Sequence, residues 1–207
     1  MNLRKVLIYV LVLMMLLLVG VGCGNSNVNN TQGMPETEES KETESEFYME
    51  IADATEILTK TWEMYAQEER FAIMGGHFET AVIDMPAKYD LTQTMDLTQM
   101  YCIPESQVGA IDDAATMIDL YNAGRFMVGA FHVTVAENAR DFAIGIQSQV
   151  LGNQWHGEKP EKILVVKIDE QYVISVCGRE LLVDQFKQKL EAVYQEMVTV
   201  MIEERVS

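Results

Sequence analysis

Two apolar segments in the second half of the chain place the strongest constraint on its fold. They are residues 117–131 (MIDLYNAGRFMVGAF) and residues 163–177 (ILVVKIDEQYVISVC). In each segment two apolar runs flank a short polar turn, at residues 122–124 and 169–170, which is the pattern of a β-hairpin. A helical pattern follows each segment. The sequence therefore predicts an α+β fold, in which two ββα units form a four-stranded antiparallel sheet backed by helices.

Helical spacing of apolar residues follows both hairpins. After the first hairpin, Thr134 and Glu137 have the spacing of a capping box at a helix start. The face that this helix would bury consists of Ala139, Phe142, Ala143, Ile146 and Val150. The face of the C-terminal helix would consist of Val183, Phe186, Leu190, Val193, Met197 and Met201. Both helices are expected to pack on the sheet.

The region ahead of the hairpins predicts an N-terminal helical extension. Residues 47–70 contain a helical face made of Phe47, Ile51, Ala54, Leu58, Thr61 and Tyr65. Two glycines at 75–76 then break the chain, and residues 78–85 predict a short strand or an extended crossing. A shorter helix is expected over residues 91–101, before a turn at Pro104.

The first residues have the pattern of a lipoprotein export signal. Arg4 and Lys5 precede an apolar run over residues 6–21, and a small residue stands before Cys23. The run is shorter than the ~20 residues that a membrane-spanning helix needs, and it fits a secretory signal. We predict a signal peptide over residues 1–22 and acylation of Cys23, which anchors the chain to the membrane. An uncleaved N-terminal anchor is the alternative, and both place the domain at the cell membrane, on its extracytoplasmic face.

The segment after the leader has a composition that cannot bury a core. Residues 23–46 are rich in Asn, Thr, Ser and Glu, so we predict a lipidated cysteine followed by a flexible acidic linker. Residues 47–207 are long enough for a single α+β domain. The formal charge of −17 becomes −19 without residues 1–22, which hold two basic residues and no acid. Such a surface repels phosphate backbones and argues against nucleic-acid binding.

Cys102 and Cys177 are the cysteines that remain once Cys23 carries lipid. An exported pair can form a disulfide. Alternatively, Cys177 ends an apolar strand, where a free thiol behaves as a small buried hydrophobe. The sequence leaves the pairing open.

The sequence holds no established catalytic or metal-binding motif. The histidines His77, His132 and His156 lack the local spacing of zinc ligands. The serines of the domain lack a GxSxG elbow or an SxxK pair, and the glycines at 75–76 lack the context of a phosphate-binding loop. No catalytic residue, metal or cofactor is therefore predicted.

The loop over residues 152–160 is the best candidate for ligand binding. Trp155 and His156 lie there among polar and glycine residues, and exposed aromatic side chains on loops are favoured anchors for partners. The alternative is that Trp155 folds back over the helix end and caps the core. The methionines near apolar faces fit adaptable core packing, with a methionine-lined groove for a peptide as the alternative.

Two short segments carry a resemblance to a known family. They are residues 101–105 (YCIPE), where the family tends to have Tyr-Gly-Ile-Asp-Pro, and residues 171–176 (QYVISV). With the leader and the acidic linker, the chain resembles an uncharacterised domain-of-unknown-function family of small lipoproteins from Gram-positive anaerobic bacteria, over roughly residues 51–190. Cys102 in place of glycine departs from the family pattern. The resemblance implies an envelope location and an α+β fold, and it brings no catalytic residues.

These observations favour a monomeric or weakly associating lipoprotein at the cell envelope. Its expected role is non-catalytic binding of a protein or small-molecule partner. An envelope hydrolase, or an accessory subunit of an exported enzyme complex, is the alternative. A closed cleft in which a histidine meets carboxylates or Cys177 would favour the enzyme.

Overall fold

The computed structural model describes residues 48–207. The predicted signal peptide (1–22), the lipidated Cys23 and the linker that follows it to residue 46 lie outside the described residues.

The described residues form four α-helices and eight strands. The helices are α1 (Ala54–Glu63), α2 (Thr94–Gln99), α3 (Ala139–Gly152) and α4 (Glu180–Tyr194). The strands are β1 (Ile73–Gly75), β2 (Val82–Ile83), β3 (Ala87–Lys88), β4 (Ile111–Asp119), β5 (Phe126–Val133), β6 (Lys162–Ile168), β7 (Tyr172–Gly178) and β8 (Val198–Arg205).

The strands form one antiparallel sheet in the order β2-β1-β4-β5-β7-β6-β8, and β3 also pairs with β4. This confirms the α+β class, but the prediction of four strands was wrong, because the sheet has eight. Three short strands extend it beyond β4, and β8 extends it beyond β6. Short strands give too little periodicity to be recognised in a sequence.

The prediction that the last helix reaches Met201 was also wrong. Helix α4 ends at Tyr194, and Gln195 adopts a φ of 47°, which turns the chain out of the helix. Residues 198–202 (VTVMI) then pair with β6. Valine, threonine and isoleucine favour strands because their branched side chains pack well on a pleated surface. Met197 and Met201 therefore contact the two sides of the sheet rather than one helical face.

Each hairpin is followed by its helix, and the two helices lie on opposite faces of the sheet. Helix α3 buries the five residues predicted for it, Ala139, Phe142, Ala143, Ile146 and Val150, against alternate residues of β5, β6 and β7. Helix α4 buries Val183, Phe186, Leu190 and Tyr194 on the other side, together with α1. We call these sides the α3 face and the α1/α4 face. The sheet interior is thus covered on both faces, and its central strands read as nearly continuous apolar runs.

The predicted capping box at the start of α3 does not form. Thr134 Oγ1 donates to the carbonyl of Ala110, 3.2 Å away, and a 3₁₀ turn at Ala136–Asn138 leads into the helix. The hydroxyl is therefore used to join β5 to the loop before β4, and the capping prediction was wrong.

Helix α1 is shorter than the predicted 47–70. Its start is set by Asp53, whose Oδ1 accepts a hydrogen bond from the Glu56 amide at 2.8 Å. Such a cap satisfies a helix N–H that would otherwise have no partner. The amide of Ala54 donates to Asp113 Oδ2 at 2.8 Å, which ties this helix end to β4.

Candidate functional site

The predicted ligand-binding pair on the loop after α3 is split by the structure. Trp155 is half-buried, packs on the core of the α3 face, and donates from Nε1 to the Val150 carbonyl at 3.3 Å. This geometry fits a cap on the C-terminal end of α3. His156 is exposed beside it. The binding role of the two residues stays a prediction, which ligand screening against Trp155→Ala would test.

A depression of about 480 Å³ brings His156 near Cys102 and Asn153. Asn153 Nδ2 lies 3.8 Å from Cys102 Sγ, so a thiol, an amide and an imidazole line one hollow. In a cysteine hydrolase these groups act together only when the cysteine is present as a reactive thiolate. Here burial raises the pKa of Cys102 to about 11, so the thiol stays protonated at neutral pH. The hollow lacks the electropositive environment that a nucleophilic cysteine needs.

Cys177 is also a free thiol, and the structure shows no disulfide between it and Cys102. It is the second-last residue of β7 and lies in the core of the α3 face, where burial raises its pKa far above the ordinary value. Its side chain packs as an apolar group and cannot serve as a nucleophile.

His77 meets a carboxylate without a cleft. Its Nε2 lies 3.2 Å from Asp96 Oδ2, and its ring packs edge-on against Tyr89. The cavity beside them, lined by Tyr89, Asp96 and Tyr101, has a volume of about 10 Å³, which is too small for a substrate. The contact joins β1 to α2 and supplies no reaction site.

His132 lies on β5, at the surface of the sheet. Its Nδ1 is 2.5 Å from Asp112 Oδ1, and its ring packs on Tyr172 with centroids 4.9 Å apart. Neither side chain borders a cavity that the structure describes. Within residues 48–207 no group of three His, Cys, Asp or Glu side chains is placed to hold a metal ion.

A groove between α3 and β8 has a volume of about 620 Å³. One wall consists of side chains from Ala136 to Gln147, and the other of Thr199–Glu204, with Lys167 between them. The volume falls in the range of ligand sites, and its open side lies at the sheet edge. We call this feature the α3–β8 groove.

The middle of the α3–β8 groove is apolar, and its ends are charged. Ala143 and Ile144 face Met201 and Ile202 across the middle, and Ile144 is 47% exposed. A hydrogen bond of 2.6 Å from Gln147 Nε2 to Glu204 closes one end. At the other end lie Arg140 and Lys167. Met201 is the one methionine in this lining, so the methionine-lined groove for a peptide stays an untested alternative.

Strand β8 forms the open edge of the sheet. Among residues 48–207 it pairs with β6 alone, and an extra residue at Met201 makes a bulge in that ladder. Half of the backbone N–H and C=O groups of an edge strand point away from the sheet and await partners. Residues 198–202 of this edge carry no charge.

Ion pairs hold β8 in place. Lys162, which is buried at the start of β6, lies 2.5 Å from Asp184 and 2.6 Å from Glu203. Glu203 also lies 2.7 Å from Lys187 of α4, and hydrogen bonds to both lysines lower its pKa. Arg205 makes three hydrogen bonds to the Glu180 carboxylate. The edge is therefore fixed on its α1/α4 side and open on its α3 side.

This groove was not predicted from the sequence, because the last helix was expected to continue to Met201, into the residues that form β8. The signal was the run of β-branched residues over 198–202, which favours a strand. Neither the open edge of the sheet nor the groove beside it can be located without knowing that β8 pairs with β6.

Comparison with known proteins adds no assignment. No helix within residues 48–207 has the length and apolarity to cross a membrane. The chain matches no protein-family model, and neither curated proteins nor solved structures show significant similarity to it.

Proposed function

We propose that this chain is a lipoprotein of the extracytoplasmic membrane face, and that its domain is a non-catalytic protein-binding module. The partner adds an extended segment to the edge of β8 and places side chains in the α3–β8 groove. The observation that carries the proposal is an eight-residue edge strand beside a groove of about 620 Å³ whose middle is apolar.

The physical basis is strand addition. An extended segment satisfies the outward N–H and C=O groups of an edge strand, and alternate side chains enter the neighbouring groove. Each backbone hydrogen bond contributes roughly 0.5–1.5 kcal/mol net. Apolar contacts with Ile144, Met201 and Ile202 supply the remainder. The two ββα units serve as the rigid frame that holds β8 and α3 at the distance that forms the groove.

Sequence supports the location. The leader over residues 1–22 and the cysteine at 23 fit export and acylation, and two acyl chains give stable anchoring where one is marginal. A Cys23→Ala chain is expected to lose its membrane association. If that chain stayed in the membrane fraction as firmly as the wild type, the lipid anchor would be refuted.

The alternative of an envelope hydrolase is disfavoured by the thiols. Cys102 and Cys177 are buried, and burial raises the pKa of both. Neither is expected to react with iodoacetamide at pH 8 until the protein unfolds. Rapid alkylation of the native protein would instead support the hydrolase alternative.

The binding site is tested by photocrosslinking from a single position in the full chain. A benzophenone side chain replaces Ile144, in the groove, or Ile83, which is similarly exposed on β2 at the opposite edge. In intact membranes the groove position should give a discrete protein adduct, and the β2 position should give none. Equal labelling from both positions, or no adduct from the groove, would contradict the proposal.

A further inference from the structure

We infer that the segment which β8 receives is β8 of a second copy of this chain, paired antiparallel about a two-fold axis perpendicular to the sheet. The inference rests on the proposed function, because it names the partner of the same groove. It follows from the order of charges along the edge.

The charges of the α3–β8 groove are separated along its length. Helix α3 joins the end of β5 to the start of β6, and both of these strands run opposite to β8, so α3 runs in the same direction as β8. Arg140 lies about two turns before Gln147, toward the start of β8, and Lys167 pairs with Thr199 in the ladder. Glu137 lines the same end of the groove and Lys167 is paired with Glu170 at 2.9 Å, so Arg140 is the cation left there without an ion pair among the described residues, while Glu204 lies at the other end.

Only an antiparallel second copy complements this order with its own sequence. Reversal brings Glu204 of the second copy beside Arg140 and Lys167 of the first, and the two-fold axis repeats this contact at the other end. A parallel copy would instead place Glu204 opposite Glu204. Opposite charges across strands stabilise a pair, and like charges destabilise it. A two-fold interface must be complementary to itself, and this edge is.

At the Arg140 end the group available for such a contact is Arg140, since Lys167 lies 2.9 Å from Glu170. Arg140 is exposed and forms no ion pair within the described part of the chain. Glu203 and Arg205, which could repel a neighbouring strand, are held by α4 on the other face. The middle of the edge, residues 199–202, brings only Thr, Val, Met and Ile to the interface.

The point where the chain enters the domain agrees with this symmetry. The Met49 amide donates to Met197 Sδ at 3.4 Å, so the first described residues lie beside the start of β8 on the α1/α4 face. A two-fold axis perpendicular to the sheet keeps the α1/α4 faces of both copies on one side. Two lipid tethers can then enter the same membrane. Confinement to that surface raises the local concentration, which favours an edge contact that is weak in solution.

The opposite edge lacks these properties. Strand β2 has two residues, and Pro86, which has no N–H to donate, follows it closely. An edge this short offers too few backbone groups for stable pairing.

The inference is tested by charge exchange in the full-length chain, purified in detergent and analysed by sedimentation velocity. The wild type is expected to dimerise. Arg140→Glu and Glu204→Arg should each weaken dimerisation by about tenfold, since each creates two like-charge contacts in the dimer. An equimolar mixture of the two variants should dimerise like the wild type, because both of its contacts then join opposite charges. The chain that carries both substitutions should do the same.

Controls separate this result from a folding defect and from failure of the proposed function. Both variants should keep the circular dichroism spectrum and the melting temperature of the wild type, since both side chains are exposed. Val200→Lys, a third change at the edge, should also give monomers. A monomeric wild type at every concentration, or a mixture that stays monomeric, would overturn the second-copy inference. A crosslinked adduct from Ile144 whose mass differs from that of a dimer would also overturn the second-copy inference. It would still support the proposed binding module.

Discussion

The two edges of the sheet are built by different means. At one edge β1, β2 and β3 are strands of two or three residues, with Gly76 directly after β1 and Pro86 between β2 and β3. At the other edge β8 runs for eight residues and is fastened to the domain by ion pairs. Short strands and proline protect an edge from unwanted pairing. The β8 edge has charges at one end only, so its uncharged half remains able to pair.

We propose that this difference reflects a binding role of the open edge. An unpaired strand of this length is an aggregation hazard that proteins ordinarily suppress. Here the edge is kept in shape beside a groove instead of being shortened.

The largest effect is expected at the short edge, from Gly75→Ala. An added Cβ would lie 2.3 Å from the Ala87 amide nitrogen and 2.5 Å from the Met85 carbonyl, both backbone atoms that cannot move aside. Overpacking of this kind should lower the free energy of unfolding by about 3 kcal/mol. Gly109→Ala is the control, because nothing lies within 4 Å of its added Cβ. Urea denaturation that shows equal stability for the two variants would contradict this account of the short edge.

The next effect is expected from removing the lysine that fastens the long edge. Lys162→Met leaves Asp184 and Glu203 without their shared partner, and partial exposure of both carboxylates limits the cost to about 2 kcal/mol. Lys88→Ala is the matched control at the short edge, where the exposed lysine lies 3.2 Å from Asp113. An exposed pair of that kind contributes less than ~1 kcal/mol. Denaturation curves that rank the two substitutions in the opposite order would refute the fastening role.

Much of the fold was predictable from the sequence, because strong periodicity marks its central elements. The hairpins at 117–131 and 163–177 became β4–β5 and β6–β7, and the predicted face of α3 is the buried one. Strand β4 begins at Ile111, earlier than predicted. Its first residues were not recognised as a strand because Asp112 and Asp113 interrupt the apolar pattern. The candidate site was not predictable, since β8 continues the helical spacing of α4 by coincidence up to Met201. A turn at a glutamine with positive φ leaves no signal in a sequence.

The next prediction compares the two edges directly, by substitutions that should change stability little and association clearly. Val200→Lys and Ile83→Lys each place a charge on an exposed edge residue, at β8 and at β2. Each should change the free energy of unfolding by less than ~0.5 kcal/mol, as surface substitutions do. Only the β8 variant should lose the groove crosslink from Ile144. Loss of that crosslink in the Ile83→Lys variant as well would mean that the edges do not differ in function.

The smallest effect concerns acid stability. Hydrogen bonds to Lys162 and Lys187 hold the pKa of Glu203 below its ordinary value of 4.5. The group therefore contributes stability above pH 4.5 that is lost as the pH falls through its lowered pKa in the folded state. Glu203→Gln should make the melting temperature depend less steeply on pH below 4.5. Identical slopes for the variant and the wild type would show that this fastening contributes nothing.

The most direct test of the open edge is amide hydrogen exchange along β8 in the full-length chain, at low and at high protein concentration. In the free edge strand the outward N–H groups exchange quickly, and pairing with another strand protects them. The account predicts that alternate amides over residues 198–205 slow down as concentration rises, while those of β2 do not change. Exchange in β8 that is independent of concentration, in detergent and in membranes alike, would contradict it.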